Sequence, residues 1–488
     1  MINLKQQAVR SIKWTTLQTG IVAGTGPVLH IIKARFLVPE EFAYIAIIMI
    51  FIGLFKVLEN FGISQAVIQR DTIDSEEASS LFIFNIILSI LFGAALYFLS
   101  PFIASFFSLP KLAYYLKLTS IIVVIGGPSN LFRALLQKNL NFKELSIIDI
   151  GRNIFLLGFV TTMLIIGYGV LGVIYGNIIA TLLSTILIAI LSLKYRYISI
   201  YPYFKINKLI PFLKFGMYVS GKQILTFISH RADEVVIGYF LAPEILGIYY
   251  FGKHLLEKLR ELITSSFGRV LFPVFSKLKN DKDKLSGVYK KISSYIAFLS
   301  FPVFVGIAVT SHLFIPLIFG QQWIDSVIVV QVFSLVMLFM ILTANVSTSL
   351  LYSVNNPAIV FYNDVATITL YFVGLLIFAQ QGLVAVLITY SMYIIIKTII
   401  LQYYANIKLD HTFLSYMNII KPAVVLSVSM VIFIFMFQLF TSTFLNGYYQ
   451  LFGSIIIGSI SYVAMAYVFE RSMFIEIKNT LSNNIATS

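Results

Sequence analysis

Stretch after stretch of this chain is apolar over the roughly 20 residues that a helix needs to cross a bilayer. Fourteen such segments can be marked, from 13–35 at one end to 449–469 at the other. The longest connections, 194–209, 277–291 and 405–418, are too short to hold a folded domain. In hydrocarbon each backbone N–H and C=O must be satisfied within the protein, so spans of this kind are helical. Only 11% of residues are charged, against about 25% in an ordinary globular protein. The expectation is therefore all-α: a polytopic membrane protein of about 14 transmembrane helices. The first apolar stretch, about 14–32, contains Gln18, two Gly-Thr pairs and His30. It lacks the compact apolar core of a secretory signal and reads as a retained helix.

An even number of spans puts both ends on one side, and the basic residues can test that. The ends and connections on the N-terminal side carry twenty-one Lys and Arg; the opposite side has Lys33, Arg35 and Lys111. This asymmetry places both termini in the cytoplasm. It also absorbs the formal charge of +14, so no nucleic-acid partner is implied. Cysteine is absent and the five histidines show no HxxxH or HExxH spacing. No metal centre and no cofactor is expected.

The seventh and eighth segments, 210–240 and 245–276, break the apolar pattern. Residues 214–269 hold twelve charged side chains. From Lys253 onward these follow helical spacing. Lys253, His254, Glu257, Lys258, Arg260, Glu261 and Arg269 fall on one half of the circumference, with Leu255, Leu256, Leu259, Leu262, Ile263 and Phe267 on the other. Such a face needs water or polar neighbours, because a lone charge in hydrocarbon costs several kcal/mol. A helix lying on the membrane surface would provide them. A helix standing in the membrane and lining a wet cavity would do so too, and that is the expectation adopted.

The chain also repeats itself. FLVPEEFAYIAI at 36–47 recurs as FLAPEILGIYYF at 240–251, an offset of 204 that sets Lys56 opposite Arg260. Asn130, Asn141 and Asp149 recur as Asn345, Asn356 and Asp364, an offset of 215. Six helices repeated once, with two more after them, give two lobes in the same orientation around a central cavity. The expected division is an N-terminal lobe at 1–193 and a basic linker at 194–209. A C-terminal lobe at 210–404 follows, then two additional helices and a tail at 405–488.

SIKWTTLQTG (11–20), ARFLVPEEFAYIAI (34–47) and LENFGISQAVIQR (58–70) resemble the polysaccharide-transporter branch of the multidrug/oligosaccharidyl-lipid/polysaccharide exporter superfamily. SHRADEVVIGYFLAPEILGIYYFGKHL (229–255) and FGRVLFPVFSKL (267–278) extend the resemblance, which runs from residue 11 to about 470. It implies a flippase whose first and seventh helices flank the cavity. The implied cargo is a polyprenyl-diphosphate-linked oligosaccharide, carried in a bacterial inner or plasma membrane for O-antigen, capsule or exopolysaccharide synthesis.

A diphosphate headgroup calls for fixed cations, arginine having the better two-pronged geometry. Lys56, Arg152, Lys222, Arg231, Lys253, Lys258 and Arg260 lie within predicted spans and are the candidate substrate-binding residues; snorkelling to the interface is the plain alternative for such side chains. Glu59, Asp233, Glu234, Glu257 and His30 are the candidates for charge balance or ion coupling. Glu59 and Glu257 are spaced to pair with Lys56 and with Lys253 or Arg260. Asp149 and Asp364 are expected to cap helix N-termini, and Gly126-Gly127-Pro128 to kink the fourth span.

The function expected is alternating-access transport driven by an H+ or Na+ gradient, since no nucleotide-binding P-loop is present. Membrane lipids, a polysaccharide polymerase and export proteins are the expected partners. A multidrug or cation antiporter on the same fold is the rival transporter. A membrane-embedded polymerase or lipid-linked glycosyltransferase is the rival from another class, and no catalytic residues are assigned.

Overall fold

The computed structural model describes residues 4–195 and 200–471, except the side chains of 4–6, 8–9, 218–219, 222, 265–269 and 344–345. No strand occurs among the described residues. The chain divides into two compact units, Met1–Gly247 and Ile248–Ser488.

The first unit contains α1 (Leu4–Phe36), α2 (Pro39–Asn60), α3 (Ile63–Gln69), α4 (Ser75–Phe106) and α5 (Pro110–Gly126). It continues with α6 (Ser129–Lys138), α7 (Phe142–Ile165), α8 (Gly169–Tyr195) and α9 (Ile206–Phe240). Helix α10 (Pro243–Leu278) begins in the first unit and continues into the second. The second unit adds α11 (Lys282–Phe314), α12 (Val327–Met340), α13 (Thr348–Ser353), α14 (Pro357–Phe378) and α15 (Leu383–Leu409). It ends with α16 (Phe413–Thr441) and α17 (Gly447–Phe469).

Local chemistry sets these boundaries. Pro39 and Pro243 open α2 and α10, where proline's missing N–H costs nothing, with Glu40, Glu41 and Glu244 in the first turns. The Glu41 carboxylate accepts the Val38 N–H at 3.1 Å. Asp74 accepts the Glu77 N–H at 2.6 Å and Asp281 accepts the Lys284 N–H at 3.1 Å, so α4 and α11 start on matching aspartate caps. Leu140 and Asn355, 215 residues apart, both turn through left-handed backbone (φ 58° and 59°) just before α7 and α14. The repeat read from sequence is thus visible in where helices begin and end: α1 and α9 stop at Phe36 and Phe240, the same 204-residue offset.

Among the described residues, ten helical segments are long and apolar enough to cross a membrane, and eleven if α5 and α6 count as one span. Those two meet at a 41° bend at Gly126-Gly127-Pro128, as the sequence predicts. Three further helices, α1, α9 and α10, have 33, 35 and 36 residues. At about 1.5 Å per residue each could cross, yet their composition is too polar for the apolar criterion.

Inside the first unit α4 packs on α5, α1 on α7, α7 on α8 and α2 on α9. Lipid is as apolar as leucine, so close packing holds such helices together. At Gly62 and Gly216 the backbones of the α2–α3 break and α9 approach so closely that a Cβ on Gly216 would lie 2.1 Å from the Phe61 carbonyl oxygen. In the second unit α11 packs against α12, α16 and α17, and α14 against α15. There Tyr289 Oη and Ser347 Oγ both donate to Gln402 Oε1 (3.0 and 2.9 Å), and Gln402 Nε2 donates to Asn406 Oδ1 (2.8 Å). Ser347 ends a π-helical stretch, Ile341–Ser347.

Candidate functional site

The first unit gathers charge at mid-helix positions of α2, α6 and α7. Asp149 lies in the second turn of α7, beyond capping range. Arg133 grips it with both prongs: Nη2 to Oδ1 at 2.7 Å and Nη1 to Oδ2 at 3.1 Å. Gln18 of α1 donates to the same carboxylate at 3.0 Å and accepts from Ser146 Oγ at 2.9 Å. The capping role expected of Asp149 is corrected: its acceptor capacity is taken up by groups from two other helices. Asp364 repeats the pattern in the second unit, two turns into α14, paired with Lys397 Nζ of α15 at 2.8 Å.

Among the described residues Arg152, one turn beyond Asp149, forms no ion pair, and its Nε has no hydrogen-bond partner. It lies within electrostatic reach of Asp149, Arg133 and Lys56. Lys56 is exposed on α2 and also reaches Glu59 electrostatically, but the two do not close into an ion pair. Glu59 is instead buried, only 2% exposed, with Oε1 aimed at the α5–α6 bend. A Cβ on Gly127 would stand 1.9 Å from that oxygen, so only glycine fits there. Glu59, Lys56, Arg152, Asp149 and Arg133 thus form a cluster of three cations and two acids, each within electrostatic reach of the next.

The other sequence candidates are distributed differently. Arg231 pairs with the fully buried Glu234 at 2.7 Å, and Asp233 Oδ1 accepts the Glu234 N–H at 2.9 Å. His30 meets the Phe42 ring edge-on at 5.8 Å. Lys253 is buried with its ammonium 5.7 Å from the centre of the Tyr249 ring. Glu257 pairs with His254 at 3.3 Å, a partner the spacing argument did not choose. Lys258 and Glu261 form an exposed pair at 2.8 Å. Arg260 is half-buried, and its Nε lacks a hydrogen-bond partner. The side chain of Lys222 lies outside the described residues.

Sequence reasoning passed over Arg133, which it assigned to a cytoplasmic connection, and omitted Lys397. Both are sequence-distant from the acids they hold. The recurrence of Asp149 as Asp364 was the available signal.

Ten or more long apolar helices with charge held at mid-helix positions, and helix boundaries that recur at offsets of 204 and 215 residues, define a polytopic membrane protein of transporter type. Residues 32–328 match the family described as polysaccharide biosynthesis protein. That is more than half of the sequence, and the chain belongs to this family. It is 28% identical over 414 residues to the lipopolysaccharide biosynthesis protein WzxC of Escherichia coli (strain K12), covering 83% of this chain and 82% of that protein. It is 24% identical over 428 residues to the teichuronic acid biosynthesis protein TuaB of Bacillus subtilis (strain 168), covering 86% and 87%. Its fold is similar to that of the lipid II flippase MurJ in an inward closed conformation, with a TM-score of 0.76 at 18% identity over 95% of this chain and 99% of that one.

Proposed function

We propose that the chain is a flippase that carries a polyprenyl-diphosphate-linked oligosaccharide from the cytoplasmic to the outer leaflet by alternating access. It does so in a bacterial inner or plasma membrane with both termini in the cytoplasm. The twenty-one to three partition of Lys and Arg supports that orientation. The observation that carries the reading is the surplus of cations inside the first unit. Among the described residues Arg152 and Lys56 have no counter-ion in contact, although a charge within a membrane-spanning segment is normally matched. A diphosphate supplies the missing anion through charge-assisted hydrogen bonds.

Lys222 and Arg231 of α9, and Lys253, Lys258 and Arg260 of α10, are the further candidates for contact with the substrate headgroup. Those helices and α1 are the three long rods too polar for lipid, and in this reading they cross the membrane with their polar faces in water, bringing the spans to fourteen. The working lobes are 1–193 and 210–404, joined at 194–209 and followed by 405–488. Coupling to H+ or Na+ falls to Glu59, Asp233, Glu234, Glu257 or His30. Glu59 is favoured among them because it is buried against the α5–α6 bend, where the fourth span kinks. No catalytic group is assigned, and polymerase and export proteins are the natural downstream partners.

The test is transfer of a fluorescent lipid-linked oligosaccharide across proteoliposomes. Lys56→Ala and Arg260→Ala are expected to slow it while the protein still inserts and elutes normally. Wild-type rates in both single variants and in the double variant would overturn the assignment. A multidrug or cation antiporter would instead move an organic cation and leave the oligosaccharide untouched.

A further inference from the structure

Helices α7 and α8 enclose a lateral groove of about 670 Å³ within the first unit. That is the size range of a small-ligand site. Its walls are apolar: Ile147 and Phe155 on α7 face Leu183 and Leu187 on α8. Ile147, Leu183 and Leu187 are exposed, as side chains that meet lipid are. At one end lie Lys143, Glu144 and Tyr195. Their charges are already engaged, since Lys143 sits 5.7 Å from the Trp14 ring centre and Tyr195 Oη donates to Glu144 at 3.0 Å. Nine residues further along α7, about 13 Å at helical rise, Arg152 also lines the groove.

An arginine without an ion pair beside an apolar slot is costly until an anion arrives. The ligand that satisfies both surfaces is an amphiphile with one anionic head and a long apolar chain. The inner cluster adds a direction, because Arg152 is also within electrostatic reach of Lys56. A head held at Arg152 therefore faces the same interior cations while its chain lies outward between the helices.

We infer that the α7–α8 groove is the slot in which the isoprenoid chain of the lipid-linked substrate lies, with its diphosphate anchored by Arg152. The inference rests on the flippase reading and gives one step of it a place. Gly151 marks the groove floor: a Cβ built there meets nothing within 4 Å, so a large side chain can enter the slot without displacing a neighbour.

The test is photolabelling of the full chain in phosphatidylcholine nanodiscs with an isoprenoid diphosphate carrying a diazirine on its chain. Label is expected on residues 147–155 and 183–191. Arg152→Gln is expected to cut it about tenfold, the worth of one charge-assisted contact, while Arg152→Lys keeps most of it. Gly151→Phe is expected to cut it as well by filling the slot, and it decides alone if Arg152→Gln does not elute as folded protein. Unchanged labelling in Gly151→Phe overturns the inference. So does equal labelling by the uncharged isoprenoid alcohol, or equal competition by phosphatidylglycerol, which would mark an ordinary lipid surface. Labelling without oligosaccharide transfer by the wild type keeps the slot and sinks the flippase reading; transfer without labelling does the reverse.

Discussion

Asp149 and Asp364 occupy corresponding places in the two units, but the charges around them differ. Asp149 is held by a two-pronged arginine from α6 and by Gln18 from α1, and a second arginine follows one turn later. Asp364 is held by one lysine, Lys397 of α15. At the 215-residue offset Arg133 is matched by Thr348 and Arg152 by Thr367, whose hydroxyl bonds back to the Asn363 carbonyl at 2.6 Å. The second unit therefore balances its acid, whereas the first keeps positive charge to spare. The acid recurs in both units while the cations around it differ.

The largest effect that could break this contrast concerns transport. Arg152→Ala is expected to lower oligosaccharide transfer in proteoliposomes by roughly 10- to 100-fold, the range for losing a hydrogen bond to a charged group. Lys397→Gln is expected to change it less than about threefold, since its charge is spent on Asp364. Equal losses would erase the distinction between the units.

Stability comes next. Asp149→Asn leaves Arg133 without its anion, and breaking a fully buried pair costs about 3–5 kcal/mol. With Arg133 34% exposed and Asp149 17% exposed, about 2 kcal/mol is expected in denaturant unfolding of the purified protein. Asp364→Asn, at a single lysine contact, should cost about 1 kcal/mol. A smaller change is expected if the base is relocated: Thr348→Arg combined with Lys397→Ser should fall within about 1 kcal/mol of wild type. A collapse on that exchange would show that the two acids have different surroundings despite their shared offset.

The smallest effect is expected at the matching caps. Asp74 is held below the usual aspartate range by the Lys208 ammonium and by the Glu77 N–H. Its contribution is present above pH ~4 and fades as acid protonates the folded carboxylate. Asp74→Ala should cost about 1 kcal/mol at neutral pH and progressively less in acid. Asp281, lowered by Lys284, should follow the same pH direction.

The helical plan was largely legible in the sequence, because hydrocarbon permits so few backbone solutions. Pro39, Pro243, Asp74 and the Gly126-Gly127-Pro128 bend each sit where a reader of turns and caps would place them. The site was legible only in part. Lys56 and Arg152 stood out as charges within apolar runs, but that neither closes an ion pair with the acid three residues away was not visible in the spacing. Local spacing suggested Glu59 for Lys56 and Lys253 or Arg260 for Glu257. In the fold Glu59 turns to Gly127 and forms no ion pair with Lys56, while His254 is one partner of Glu257. Arg133 was hidden by its nearness to a helix end, and Lys397 lay in an otherwise ordinary apolar span.

The polarity of α1, α9 and α10 has a consequence at synthesis. A nascent segment released sideways from the translocation channel partitions by its own hydropathy, and these three would drift back toward water if left alone. Helix α1 finds its packing partner in α7, more than a hundred residues downstream. Its retention therefore waits until α7 has been made, so α1 is secured later than the more apolar helices that directly follow it.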